Sequence, residues 1–241
     1  MTRANNIDLS RATTSLLRGA VALLMLWVIN IPAHAKPVVT ASDTLTAGEV
    51  FTNLPISVLD ILPRTSRLDM LDYAAVDSLR PTLNNMGEIS TLQLVSPTAL
   101  DVKLTNVSDL KIRILPYAGS EVAMTIYTVG RKESSPDSQI NFFNSSMQKL
   151  PTNKFISLPE IEDFLIDKVK WHEVGKKISR KEVLDRIPFM TVTYTMEPDS
   201  DLLKAHLTIG KYLPVEDVEF VTPFLCKELT YKWNGKRFVK L

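Results

Sequence analysis

The chain has 241 residues, with 28 Lys+Arg against 27 Asp+Glu. Such balance leaves no electrostatic reason to bind nucleic acid or an acidic membrane surface. One cysteine, Cys226, excludes an internal disulfide framework.

The amino end reads as an export signal. Arg3, Arg11 and Arg18 form a basic start, Ala20 to Ile29 is wholly apolar, and Pro32 precedes the triplet Ala33-His34-Ala35. Small residues at both ends of that triplet suit signal peptidase. The apolar run is about half the ~20 residues a membrane span needs. Residues 1–35 are therefore expected to be removed, leaving Lys36 to Leu241 with a net charge near −1 and no stable membrane insertion. The expected location is the periplasm, or outside the cell or on its surface.

Beyond an entry segment to Asp43, Thr46-Ala47-Gly48-Glu49 has the form of a capping box, with Leu45 and Val50 as its staple. A second helix is expected from Ser66, with Leu68, Leu71, Ala75 and Leu79 on one face. From Pro81 the apolar period becomes two. Leu92 and Leu94, then Val102 and Leu104, then Leu110, Ile112 and Ile114 alternate with polar residues. Val122 to Val129 is nearly apolar, as in a central strand, and Ile140, Phe142 and Phe143 follow a polar loop. The links are short and rich in turn residues, as in Pro116-Tyr117-Ala118-Gly119, so neighbouring strands should be antiparallel.

Helical signals return at Ser157-Leu158-Pro159-Glu160 and continue through Ile161, Phe164 and Leu165. Ser179-Arg180-Lys181-Glu182 is another capping box, with Val183, Leu184 and Ile187 behind it. Two strands, Met190 to Met196 and Ala205 to Ile209, precede a short helix opened by Pro214 with Glu216 and Asp217 in its first turn. Asn234-Gly235 predicts a type I′ hairpin that sets Trp233 opposite Lys236, Tyr231 opposite Phe238 and Leu229 opposite Lys240.

Runs of strands between runs of helices give an α+β fold. The expected architecture is antiparallel sheet of meander hairpins with short helices alongside. It forms a single unit over 36–241, or two similar halves, 44–150 and 151–241, each closing on a strand, an Asn turn and a Lys-Leu pair.

Several motifs in this order resemble one family. They are Ser66-Arg67-Leu68-Asp69-Met70-Leu71-Asp72-Tyr73, threonine-rich strands, Pro136-Asp137-Ser138 before Phe142, Leu158-Pro159 with Asp163-Phe164, and Tyr231-Lys232-Trp233-Asn234-Gly235-Lys236-Arg237-Phe238-Val239. Together they resemble the domain of unknown function 3256 family of exported Bacteroidales proteins, over nearly all of the chain past the signal. Met147 departs from it, standing where members often carry a tryptophan. The resemblance implies an exported α+β protein and carries no catalytic residue with it.

The residues themselves offer little catalytic chemistry. His172-Glu173 lacks the second histidine of a zinc helix, and His206 alternates with apolar residues as a solvent-facing strand residue. Asp199-Ser200-Asp201 lacks the further oxygens of a calcium loop and reads as a turn. Gly119-Ser120 lacks the trailing glycine of a nucleophile elbow. Gly235-Lys236 belongs to the hairpin, and Cys226 lies in an apolar run, so it is expected to be buried and inert. Glu160, Glu162, Asp163 and Asp167 read as one solvated helix face. No catalytic, metal-binding or cofactor-binding residue is therefore assigned.

Tyr231, Phe238, Trp171 and Trp233 could build a carbohydrate or peptide platform, or pack in the core and the hairpin, which ordinary burial favours; the two tryptophans are the candidate contact surface. The function expected is a non-catalytic binding or interaction module, without a cofactor, for a protein or glycan partner in the envelope. The alternative is a hydrolase with an unrecognised carboxylate-based site. A cleft with two converging acids would favour the hydrolase, and a shallow aromatic surface the module.

Overall fold

The computed structural model describes residues 44–241, apart from positions 77 and 176. The export signal expected over 1–35 lies outside the described residues.

Helix α1 (Ala47–Asn53) starts where the capping chemistry places it. The Thr46 hydroxyl accepts the Glu49 amide at 3.2 Å, and the Glu49 carboxylate accepts the Thr46 amide at 2.9 Å. Val50 and Phe51 are fully buried. Helix α2 (Arg64–Ala75) begins after Pro63, two residues before the expected Ser66. Its buried residues are Arg67 and Met70, while Leu79 lies beyond its end and is half exposed. The reason is Arg67, whose Nη1 donates to the carbonyls of Phe51 at 2.7 Å and Leu54 at 2.9 Å. The guanidinium thus supplies donors that the end of α1 would otherwise lack.

Among the described residues the strands form two antiparallel sheets, as an α+β meander requires. The first holds seven strands in chain order: β1 (Thr82–Leu83), β2 (Ile89–Val95), β3 (Ala99–Thr105), β4 (Ser108–Tyr117), β5 (Ser120–Val129), β6 (Asp137–Phe143) and β7 (Lys149–Leu150). β4 and β5 pair along their whole length, from Ser108↔Val129 to Tyr117↔Ser120. Their turn, Ala118-Gly119, has φ of 48° and 83°, the double positive sign of a type I′ turn.

Both faces of this sheet are covered. Leu92, Leu100, Val102, Leu110, Ile112, Ala123 and Phe143 pack with α1 and α2, while Leu115, Val122, Met124, Ile126, Ile140 and Phe142 face the other way. Successive strand residues point to opposite faces, so Phe142 and Phe143 enter different cores. This is why Val122 to Val129 lacks polar alternation.

The second sheet has the order β11-β10-β9-β8. Its strands are β8 (Val192–Thr195), β9 (Leu202–Leu207), β10 (Glu228–Trp233) and β11 (Phe238–Lys240). Tyr194, Leu203, Ala205, Leu229, Tyr231, Trp233 and Phe238 join the core lined by Val122, Met124 and Phe142. Phe155 lies between the sheets at 0% exposure and stacks on Phe142 with centroids 4.5 Å apart. Both outer strands of the second sheet find partners. The β8 amides of Val192 and Tyr194 donate to Asp137 Oδ1 at 2.9 Å and Ser138 Oγ at 3.3 Å, and the Phe238 amide donates to the Phe155 carbonyl at 2.7 Å. Such cover keeps strand edges from recruiting another chain.

The closing hairpin exists in a different register. Trp233 faces Phe238 and Tyr231 faces Lys240. The Asn234 amide donates to the Arg237 carbonyl, while Asn234 Oδ1 accepts the amides of Lys236 and Arg237 at 3.0 and 2.9 Å. The asparagine side chain thus moves the tip one residue on, to Gly235-Lys236, with positive φ at Gly235 alone. Burial explains the choice. The expected register would put Lys236 beside Trp233 on the core face, whereas the observed one puts Phe238 there, with ring centroids 5.0 Å apart. Gly235 has φ +85° and open space around the position of a Cβ. Gly235→Val is therefore expected to lose about 1–2 kcal/mol through backbone conformation alone. Urea midpoints measure it, and an unchanged midpoint would show that the tip relaxes freely.

Three helices complete the chain: α3 (Lys168–Gly175), α4 (Arg180–Leu184) and α5 (Val215–Val221). α4 and α5 start at Ser179 and Pro214 as expected, and Ser179 forms the capping box. The helix expected through Ile161, Phe164 and Leu165 is only a 3-10 turn, Ile161–Phe164. Beyond it the Ile166 amide bonds the Phe224 carbonyl at 3.0 Å, and the Cys226 amide bonds the Phe164 carbonyl at 2.7 Å. Pairing with a distant segment replaces helical bonds. Trp171, Val183, Ile187, Ile209, Leu213, Val221 and Phe224 form a third buried cluster.

Candidate functional site

The two tryptophans of the candidate contact surface are packed inside. Trp171 is 7% and Trp233 6% exposed. Each indole N–H donates to a backbone carbonyl, Ile178 at 2.9 Å and Pro116 at 2.8 Å. A buried indole needs such a partner, and here it is met from within the fold. Tyr231 and Phe238 are also core residues, and burial pushes the Tyr231 hydroxyl up to about 12.

An exposed aromatic surface lies at the third cluster. α4 ends in tightened turns, with Arg186 donating its amide to Val183 and Ile187 to Leu184. Ile187 is buried, so Arg186 is held at the rim. Leu213, likewise buried, anchors the segment before α5 and sets Tyr212 facing Phe189. These rings stack with centroids 3.9 Å apart and planes 18° from parallel. The Tyr212 hydroxyl donates to the Phe189 carbonyl, and burial pushes its pKa up to about 12, so it stays protonated as a donor. Phe189 itself is 55% exposed.

Arg186 is held from two sides. Its Nη1 meets Asp217 Oδ1 at 2.5 Å, and its guanidinium carbon lies 4.1 Å from the Phe220 ring centroid. Asp217 sits in the first turn of α5, where the helix dipole favours an acid. Pro188 and Pro214 complete the walls of an open depression of about 690 Å³. Two further acids border it, each already engaged. Asp185 pairs with Lys181 at 2.6 Å, and Glu182 accepts the Ser179 amide and hydroxyl, bonds that lower its carboxyl pKa.

The other residues weighed from sequence are dispersed. His172 is exposed on α3. Asp199 occupies the β8–β9 turn with φ 56° and accepts the Thr98 hydroxyl at 2.8 Å, while Asp201 pairs with Lys232. Ser120 donates to the Tyr117 carbonyl within its own hairpin. Asp163 pairs with Lys240 at 2.8 Å, and that bond lowers its carboxyl pKa. Cys226 is half-buried rather than buried, since it packs at the margin of the core between the two sheets. Burial still pushes its thiol pKa up, against reactivity.

His206 belongs to a chain that its sequence neighbours do not announce. Its Nε2 lies 2.9 Å from Thr195 Oγ1 and its Nδ1 3.3 Å from Glu228 Oε2. Hydroxyl, imidazole and carboxylate in series is the order of a nucleophile relay. Here the three stand on adjacent strands of the half-exposed outer sheet face, and Glu228 is shared with Lys204 at 3.1 Å. The arrangement is a cross-strand polar ladder.

A second charged cluster lies on the first sheet. Asp101 accepts from Lys111 at 2.7 Å and Arg113 at 2.5 Å, and Arg113, 3% exposed, also donates to the Met196 carbonyl at 3.0 Å. Burial works to raise the Asp101 pKa, but the bonds from Arg113 and Lys111 outweigh it and hold the carboxyl below its usual range. Its contribution to stability is thus present above the unfolded value of about 3.9 and is lost as pH falls through the lower folded value. Asp101→Asn is expected to lower the urea midpoint at pH 7 and to narrow the gap from wild type by pH 2–3. An equal gap at both pH values would show that the loss is not ionic.

A family model described as protein of unknown function (DUF3256) matches residues 39–238. The fold is shared with a solved domain of an uncharacterized protein from Porphyromonas gingivalis W83. That likeness has a TM-score of 0.68 and 23% identity, and it covers 80% of this chain and 96% of the other. No curated protein matches the chain.

Proposed function

Because this chain belongs to the DUF3256 family, whose description assigns no activity, we propose a function from the surface itself. The protein is a non-catalytic binding module, and the depression between α4 and α5 is its contact face. One observation carries this reading: an exposed Phe189 ring, backed by Tyr212, lies beside an arginine already immobilised by Asp217 and Phe220. Groups fixed before the ligand arrives lose less entropy on binding. Exposed aromatics and arginine are also the residue types that dominate contact energy.

The module works outside the cytoplasm. Support comes from the basic start, the apolar run and the Ala33-His34-Ala35 triplet, and from a family match lying wholly past that point. Among the described residues no helix is long and apolar enough to cross a membrane. Amino-terminal sequencing of the exported protein tests the start at Lys36. Capture of partners from the native envelope, comparing wild type with Phe189→Ala, tests the face. Loss of the captured component with the alanine variant is expected, and capture unaffected by it would overturn the assignment.

A further inference from the structure

We propose that the ligand of this depression is a neutral polysaccharide, an inference resting on the binding reading above. The charges of the site lean acidic, and among the described residues its one lining cation is already engaged. Arg186 pairs with Asp217, Asp185 with Lys181, and Glu182 with its own cap. Glu182 meets only neutral groups and keeps its charge, so an acidic ligand would be repelled, while a neutral one need break none of these contacts. The paired groups nonetheless keep capacity for hydroxyls. A guanidinium carries five N–H donors, of which one nitrogen meets Asp217, and the second carboxylate oxygen has free lone pairs. An ion pair of this kind serves two neighbouring sugar hydroxyls, donating to one and accepting from the other.

The apolar half fits the same class. A pyranose ring presents C–H groups on its flat face, and an exposed aromatic ring offers a matching plane. Phe189 is such a plane, locked in position by Tyr212 beneath it and by the bond from the tyrosine hydroxyl to its carbonyl. A peptide finds less here. Pro188 and Pro214 in the wall have no amide N–H to offer its backbone, and the Phe189 carbonyl is already engaged. At about 690 Å³ the depression is within the usual range for ligand sites, roughly 300–1,000 Å³. Its openness along the surface suits a segment of a longer chain.

Affinity electrophoresis of the purified protein through gels containing a soluble neutral glucan, xylan, galactomannan or N-acetylhexosamine polymer tests this. At least one polymer is expected to retard wild type. Phe189→Ala should weaken its apparent affinity at least tenfold, and Arg186→Lys should weaken it too, since the planar fork is lost while the charge is kept. Cys226→Ser should bind as wild type does. Retardation by none of the polymers, or equal retardation of Phe189→Ala, overturns the proposal. If no polymer binds while envelope capture still depends on Phe189, the glycan assignment fails and the binding reading stands with a protein partner. If capture is also independent of Phe189, both fail.

Discussion

Arg67→Met is expected to cost about 2–4 kcal/mol, from two buried carbonyls that each lose a donor at about 1–2 kcal/mol. Arg67 is 3% exposed, and its charge meets the Phe51 and Leu54 carbonyls rather than a carboxylate. Burial, with Arg64 nearby, lowers its pKa, and its Nε has no partner among the described residues. Methionine removes that desolvation cost, which is why the expected loss stays below that of a broken buried ion pair. Methionine also fills a similar volume, so packing changes little. Equilibrium urea unfolding measures the difference. A loss under about 1 kcal/mol would show that water takes over the carbonyls at the end of α1.

Phe155→Ala should cost more, about 3–5 kcal/mol, as is usual for deleting a fully buried aromatic. The ring stacks on Phe142, meets Tyr117 edge-on at 5.3 Å and lies 6.4 Å from Trp233. Its removal opens a cavity between the two sheets, away from the cluster that holds Trp171. Acrylamide should then quench Trp233 more readily while Trp171 keeps its protection. A Trp233→Phe background separates the two signals. Equal gains at both indoles would mean that the sheets and the helical cluster loosen together.

Features governed by near neighbours were legible in the sequence. Thr46 and Ser179 cap helices because a hydroxyl and a glutamate three residues apart satisfy each other's amides whatever surrounds them. The β4–β5 hairpin and the short helix after Pro214 follow from equally local rules. The resemblance to the DUF3256 family was legible too, through motif order.

What depended on distant partners was not. The face of α2 is set by Arg67 reaching back to α1, which no apolar period records. The closing hairpin shifted because Phe238 belongs opposite Trp233, a demand of the shared core rather than of the turn. The two tryptophans read both as core residues and as contact candidates, because their type suits either. Their burial depends on carbonyls at Pro116 and Ile178, the first of them 117 residues away. The depression itself had no signature. Arg186, Phe189, Tyr212, Asp217 and Phe220 come from three segments, and the packing of the third cluster, with Ile187 and Leu213 in it, brings them together.

The bond from Trp233 to Pro116 also has a consequence for how the chain folds. Trp233 and Phe238 lie far along the chain from the first sheet. They cover the same core as Val122, Met124 and Phe142 of β5 and β6. Until they arrive, one face of the seven-stranded sheet stays open and Phe155 has nothing to pack against from the second sheet. Burial that joins such distant positions cannot begin on a partial chain. Folding of this core is therefore non-local, and it waits for the second sheet to reach the first. A truncation removing residues 229–241 would leave a product whose early strands are intact in sequence but permanently uncovered.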